Sequence, residues 1–404
     1  MPSLRKAHLR YTTHYKDVAA NTSQLYLRGG EFVLQALSLF DNEWLNIQAG
    51  QACVAEQVED DNLAAELCAT YPDAGAHCLD LRQHPSGRIR WREAALTAAR
   101  SLGLRQVEAV HLSNLGAAYY RLGESRRAIE YYEQSLTINR ELGNRRDEAS
   151  ALGNLGLAYT EIGQVRQALQ CYKQAIMLGL EIDDGQGVGT SLGNLGALYT
   201  KLGKVQQAIE CLEEALLIHR KIGNRRGESI VLGDLGSAYY QSDNLHRAIE
   251  SYDQQLKMGH EMADRLAESV ALGNLGNTYA KQGDAVRAIE YYEQSLAVSR
   301  EISNQQGEGV ALSNLGGAYA SSGLLQKAME YFRQTLAITQ RIEDRHTESN
   351  TLFNLALVFD KLGNRVQAVT CAESALKIFE QIESPNVTKV REQLAEWYGR
   401  IDET

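Results

Sequence analysis

The chain has 404 residues, among them 34 glycines but only four prolines, three of which fall before residue 86. Proline this sparse excludes a turn-rich β fold and points to helices. A net charge of −10 argues against general nucleic-acid or anionic-membrane binding, and six cysteines are too few for a disulfide scaffold.

In chain order, residues 4–28 and 31–57 read as two long helices and 60–71 as a third. The segment MPSLRKAHLRYTTHYK lacks the apolar run of a secretory leader, and no stretch approaches the ~20 apolar residues of a membrane span. A reducing, cytoplasmic location is therefore expected. His84-Pro85-Ser86-Gly87 reads as a turn.

From residue 107 the sequence repeats every 40 residues, in seven units starting near Val107, Asp147, Gly187, Gly227, Ala267, Gly307 and Thr347. Leu112, Leu152, Leu192, Leu232, Leu272, Leu312 and Leu352 form one column, and Leu115 and its equivalents follow three residues on. Next come Gly116, Gly156, Gly196, Gly236, Gly276, Gly316 and Ala356, then Tyr119 and its equivalents. Offsets of three, four and seven place these residues on one face of a helix. A second glycine column (Gly123, Gly163, Gly203, Gly283, Gly323 and Gly363, with Asp243 in the fourth unit) marks where that helix ends.

A second helix then carries alanine in every unit, from Ala128 to Ala368, with Tyr132, Tyr172, Leu212, Tyr252, Tyr292, Phe332 and Ala372 four residues later. The mid-helix glycines are expected to let the two helices of a unit approach closely, opposite the alanines. Residues 91–105 align with 131–145, as the second helix of a degenerate eighth unit whose first helix is expected near 74–81. After Ser384-Pro385, the residues Val387, Val390, Leu394 and Trp397 recur at helical spacing and are expected to form a capping helix.

This pattern resembles the tetratricopeptide repeat over residues 107–386. Its 40-residue period and its LGNLG motifs at 152–156, 192–196 and 272–276 resemble the long-repeat subfamily, which includes Partner-of-Inscuteable adaptors, kinesin light chains and many bacterial proteins. The run Leu39-Phe40-Asp41-Asn42-Glu43-Trp44 is similar to the region that precedes the repeats in bacterial signalling ATPases of the STAND type. The resemblance implies an all-α fold: a right-handed α-solenoid of helix-turn-helix repeats, with an N-terminal helical extension and a C-terminal capping helix. The expected divisions are an extension with a degenerate repeat at 1–86, the array at 87–386 (a half unit at 87–106 plus the seven units), and the cap at 387–404.

The column Asn114, Asn154, Asn194, Asp234, Asn274, Asn314 and Asn354 lies inside the first helices. Asparagine is unfavourable there, because its amide competes for backbone hydrogen bonds. Its neighbours at −4, +3 and +7 are Val110, Ala117 and Arg121 in the first unit and Val270, Asn277 and Lys281 in the fifth. By resemblance this face lines the concave groove of the family and touches bound peptides, whose main chain an amide can both donate to and accept from. An inter-repeat hydrogen-bond ladder is the alternative reading. The +7 column holds Arg121, Lys201, Lys281 and Lys361 against Glu161, so an acidic extended segment is the expected ligand; solvated charge is the alternative. The column of Glu148, Glu228, Glu268, Glu308 and Glu348 reads as structural, favoured by the helix dipole.

No Walker motif, HExxH or CxxC occurs, so no catalytic residue, metal site or cofactor is assigned and the chain is not expected to be an enzyme. Cys171, Cys211 and Cys371 share one column. Inert half-buried thiols are favoured there over metal ligands. The expected function is a protein–protein interaction scaffold or sensor holding a protein or peptide partner, without nucleic acid or membrane; the sequence is compatible with a homo-oligomer. The alternatives are the separated sensor region of a bacterial signalling ATPase and a G-protein-regulating adaptor. The 18 residues after residue 386 are too short for that adaptor family's C-terminal motifs, which weighs against the latter.

Overall fold

A computed structural model describes residues 4–30 and 32–401, which form twenty α-helices and no strand. Residues 1–3, 31 and 402–404 lie outside the described residues, and with them the ends of the expected extension and cap. The chain divides into two compact units, Met1–Asn194 and Leu195–Thr404.

The first unit opens with α1 (Leu4–Leu27) and α2 (Phe32–Ala55), which pack along one another and on α3 (Asn62–Ala74). Phe40, Ile47, Tyr71 and Trp91 centre their core, and the Tyr71 hydroxyl donates to the Ile47 carbonyl at 3.0 Å. The degenerate unit differs from expectation. Its first helix is broken into α3 and the short α4 (Ala76–Arg82), with Gly75 between them. Pro72 supplies no N–H to the last turn of α3, and the helix stops two residues later. His84-Pro85-Ser86-Gly87 is not a free turn: Pro85 opens α5 (Pro85–Ser101), capped by His84. It is α3 that packs on α5, whereas α4 lies against α1 and α2.

The repeats follow as helix pairs. In the first unit these are α6 (Arg105–Arg121) with α7 (Ser125–Leu142) and α8 (Arg145–Glu161) with α9 (Val165–Glu181), after which α10 (Gly185–Lys201) begins. The second unit continues through α11 (Val205–Lys221), α12 (Arg225–Gln241), α13 (Leu245–Met262), α14 (Arg265–Lys281), α15 (Ala285–Glu301), α16 (Gln305–Ser321), α17 (Leu325–Arg341), α18 (Arg345–Lys361) and α19 (Arg365–Gln381). Each packs on the next, and α20 (Val387–Ile401) packs on α19. The cap starts two residues after Pro385. It buries Val390, Leu394 and Trp397, whose indole N–H donates to Asp360 at 3.2 Å.

The sequence columns acquire physical roles here. Gly123 and its equivalents have positive φ, and Asp243 adopts the same conformation at φ 63°. The mid-helix glycines face the large side chain four residues after the alanine: a Cβ on Gly116 would lie 2.6 Å from the Tyr132 ring and one on Gly276 2.5 Å from the Tyr292 ring, while one on Gly196 would also lie 3.2 Å from the Ala208 carbonyl oxygen. In the last repeat both partners change, to Ala356 and Ala372, and both are fully buried. The Asn or Asp after each second helix (Asn144, Asp184, Asn224, Asp264, Asn304, Asp344) caps the next helix by accepting from the N–H three residues on. Each such cap contributes about 1 kcal/mol.

The glutamate column does more than complement a dipole. Glu148 is buried between Arg140 (2.9 Å) and Arg145 (3.0 Å), and Glu228 between Arg220 (2.8 Å) and Arg225. At Glu108, burial opposes ionisation, but hydrogen bonds from Arg100 and Arg105 outweigh it and hold the carboxyl below its usual range. Each clamp joins the end of one repeat to the start of the next. The repeat beginning at 187 lacks it: Leu180, Gly185 and Val188 occupy the three positions, and Val188 is buried.

Candidate binding clefts

Side chains of the Asn column are half-buried in all seven repeats, and none makes a side-chain hydrogen bond among the described residues. The hydrogen-bond ladder is therefore absent. Five of the six amides, all but Asn354, instead line clefts between successive first helices. In the first unit a cleft of about 400 Å³ between α8 and α10 holds Asn154 and Asn194. In the second unit one of about 320 Å³ between α14 and α16 holds Asn274 and Asn314. A smaller cleft between α6 and α8, about 170 Å³, holds Asn114 with Val110, Ser113 and Ser150.

The first two clefts are built in the same register, 120 residues apart. Gly153 and Gly273 lie beside the amides, and nothing but the Ser191 or Ser295 hydroxyl approaches within 4 Å of where their Cβ atoms would be, so these glycines keep the cleft open. The far wall is the capped start of the next first helix, Asp184-Gln186-Gly187 in one and Asn304-Gln306-Gly307 in the other. Neither of these features was expected from the sequence. Their signal was present as Gly at the −1 position of four units and as the Asn/Asp cap column.

The clefts differ at the rim. Arg146, Ser150 and Thr190 edge the first, and Leu266, Val270 and Val310 edge the second. Val270 and Val310 are 48 % and 44 % exposed, and Ile230, in the same column one repeat earlier, is 57 % exposed. The floor differs as well, although Ser191 stays in the first cleft. Ala149 and Ala175 in the first unit become Ser269 and Ser295, whose hydroxyls bond to each other, and the Ser269 hydroxyl also bonds to that of Ser299 at 2.7 Å.

The +7 column is exposed throughout, but its cations are not equivalent. Lys281 is committed: its Nζ donates to the Tyr240 carbonyl at 2.8 Å, pairs with Asp243 at 3.0 Å and sits over the Tyr240 ring. Arg121, Lys201 and Lys361 make no hydrogen bond or ion pair among the described residues. Asp234, the one acid in the Asn column, has its carboxyl pushed up to about 6 by burial, against the opposing charge of Lys201. Asn277 is also committed, accepting from the Tyr292 hydroxyl at 2.8 Å.

Cys171 and Cys371 are half-buried and their thiols are pushed up by burial, Cys171 to about 11. No cluster of three His, Cys, Asp or Glu side chains suited to a metal occurs among the described residues. Nor is any described helix long and apolar enough to cross a membrane.

The fold is similar to those of several solved proteins. The quorum sensor NprR from B. thuringiensis is 12 % identical, with a TM-score of 0.61 over 93 % of this chain and 98 % of that one. The STAND protein PH0952 from Pyrococcus horikoshii, which carries a tetratricopeptide-repeat sensor, is 17 % identical with a TM-score of 0.57; 94 % of this chain matches 64 % of its length. BtubC from P. vanneervenii is 21 % identical, with a TM-score of 0.49 over 54 % of this chain and 92 % of that one. No curated protein sequence matches the chain. A family model described as tetratricopeptide repeat matches residues 106–178, 187–259, 266–341 and 307–381, well over half the sequence. With the helix pairing and the glycine and aromatic columns described above, this places the chain in the tetratricopeptide-repeat family.

Proposed function

We propose that the chain is a non-enzymatic interaction scaffold or sensor that binds an extended peptide segment of a partner protein along the Asn-lined clefts of its first helices. The observation that carries this reading is the column of half-buried amides without intramolecular partners. Amides that solvent can reach and that are left without an intramolecular partner in six of the seven repeats offer donors and acceptors to a ligand. Arg121, Lys201 and Lys361 add uncommitted positive charge suited to acidic residues, while Lys281 serves the fold. The NprR and PH0952 structures are described as a quorum sensor and a tetratricopeptide-repeat sensor, which supports a sensing role. The match to 64 % of PH0952 supports a second reading, in which this chain is the sensor region that works with a nucleotide-binding protein. The long-repeat subfamily and a cytoplasmic setting belong to the same proposal.

The test is enrichment of a random extended-peptide library on the full chain and on a variant with Asn154, Asn194, Asn274 and Asn314 changed to Ala. Each amide offers up to two hydrogen bonds of about 1 kcal/mol each, so enriched peptides should bind the variant at least tenfold more weakly. Equal binding by a folded variant would overturn the assignment.

A further inference from the structure

The small cleft between α6 and α8 has a floor of its own kind. Ser135 and Asn139 of α7 form it, 0 % and 2 % exposed. The matching residues are Ala175 and Gly179 one repeat on, and Ser295 and Ser299 four repeats on. Ser295 and Ser299 are both paired, through Ser269. Asn139 is not: its buried Oδ1 has no hydrogen-bond partner among the described residues. The bonding around it fixes which end of the amide is left over. Ser135 gives its one hydroxyl proton to the Ala109 carbonyl at 2.9 Å and accepts from Asn139 Nδ2 at 3.3 Å. The unpaired end is therefore the oxygen, an acceptor.

The rest of the polar lining is also short of donors. Ser150 Oγ donates to the Arg146 carbonyl at 3.1 Å, so toward the cleft it offers only lone pairs. Asp147, on the same wall, receives Asn144 Nδ2 at 2.6 Å and Gln106 Nε2 at 3.0 Å, both on Oδ2. Its Oδ1 has no hydrogen bond, and the carboxylate has no ion pair, among the described residues. Asp147 is the one acid in a column that otherwise reads Val107, Gly187, Gly227, Ala267, Gly307 and Thr347. Ser113 and Asn114 complete the lining from α6, and each can turn an oxygen inward. Three helices thus bring acceptors to one small cleft, and one of those acceptors is buried without a donor, a costly state for a polar group.

We infer that this cleft is a primary-ammonium site, which holds a lysine side chain or the amino terminus of the bound segment. An ammonium carries three donors and no acceptor, the complement of this lining. Its compact, tetrahedral head suits acceptors on three sides, whereas a guanidinium presents its donors in one plane. Its charge answers the unpaired Asp147 carboxylate. A carboxylate or phosphoryl group has no hydrogen to give Asn139 and is repelled by Asp147. The inference deepens the peptide-binding reading and rests on it for the source of the ammonium. Asn114 belongs both to this cleft and to the amide column, so a segment anchored here passes its main chain to the amides that follow.

The test uses the full chain, ¹⁵N-labelled, and follows the side-chain amide resonances of Asn114 and Asn139 during titration with n-butylammonium chloride at constant ionic strength. Tetramethylammonium chloride, which has the same charge and no N–H, is the control. Saturable movement is expected with butylammonium alone. Half-saturation should rise about tenfold in Asp147→Asn, and about threefold in Asn139→Ser, which takes the residue that the chain itself carries at 299. The source is read by fluorescence polarisation with peptides enriched on the wild-type chain, unmodified, acetylated on lysine Nζ, or acetylated at the amino terminus. A loss of about tenfold on one acetylation names the lysine or the terminus. No saturable movement, equal movement with tetramethylammonium, or half-saturation unchanged in both variants would overturn the site and leave water alone on Asn139. A butylammonium response with no peptide enrichment would leave the site standing, for a free amine, and remove the peptide reading. Enriched peptides indifferent to both acetylations, with no butylammonium response, would do the reverse.

Discussion

The cleft between α8 and α10 and the cleft between α14 and α16 share a frame and oppose each other in chemistry. Both have two unpaired amides, a glycine that keeps the middle open and a far wall made by a capped helix start. The first has Arg146, Ser150 and Thr190 at its rim over Ala149, Ala175 and Ser191; the second has Leu266, Val270 and Val310 at its rim over Ser269 and Ser295. On the proposed reading, repetition fixes the positions offered to a ligand's main chain and leaves the rim to discriminate its side chains. The far walls are also held differently. Arg300 pairs with Glu308 at 2.7 Å behind the second cleft, whereas Val188 packs in the equivalent place behind the first.

That last difference predicts the largest effect. Val188→Glu places a carboxylate in a buried position where Leu180 and Gly185 replace the clamping arginines. It should cost about 3–5 kcal/mol in denaturant unfolding. Adding Leu180→Arg and Gly185→Arg should recover most of the loss, since Gly259 beside Glu268 shows that the second unit already accommodates a clamping carboxylate next to a glycine. If the triple variant is no more stable than the single one, the clamp is not a transferable unit.

Next in size is the glycine–ring pair, which both units share. Gly276→Ala puts a methyl into the Tyr292 ring and should cost about 1–3 kcal/mol, although alanine is the better helix former. Adding Tyr292→Ala should cost less than the sum of the two single changes, because Ala356 with Ala372 is the same exchange already present in the chain. Additive losses would show that the glycine serves backbone approach instead.

Much of this frame was legible in the sequence, and the reasons are specific. A 40-residue period with Leu, Gly and Tyr at fixed offsets determines helix pairs, and positive φ at the second glycine column follows from glycine's missing Cβ. What escaped depended on contacts between elements. The Glu148 clamp joins residues from the end of one repeat and the start of the next, and each is unremarkable within its own unit. Lys281 looked equivalent to Lys201 until Asp243, itself a replacement for glycine, was found beside it. The broken helix at Gly75 was hidden because the degenerate unit keeps no Leu-Gly signature. The amide column is visible as a helix-propensity anomaly, but its lack of partners depends on how successive first helices are spaced.

Exchanging the rims tests the comparison at the level of binding. Val270→Ser with Val310→Thr should weaken binding of peptides bearing large apolar side chains by about tenfold, the burial of one such side chain being worth about 1.5 kcal/mol or more. Ser150→Val with Thr190→Val should strengthen it in the first unit by a similar factor. Fluorescence polarisation with peptides enriched on the wild-type chain measures both. An unchanged apolar preference in both variants would mean that the rims do not discriminate.

Asp234 gives the smallest and most local effect, because it is the one position where the amide column changes charge. Its carboxyl titrates near 6, above the ordinary aspartate value of 3.8, because burial disfavours the anion. Between those two values the folded chain binds more protons at this group than the unfolded chain does. Its contribution to stability therefore falls as pH rises from about 4 to about 6 and is flat above. Asp234→Asn restores the amide of the other six repeats, and should remove that decline. The gain should be on the order of 1 kcal/mol at pH 7 and absent at pH 4, well short of full linkage because the group is partly exposed and faces Lys201. Urea midpoints at the two pH values decide it. An equal gain at both would assign the effect to hydrogen bonding rather than charge, and Asp234 would then be an ordinary member of the column.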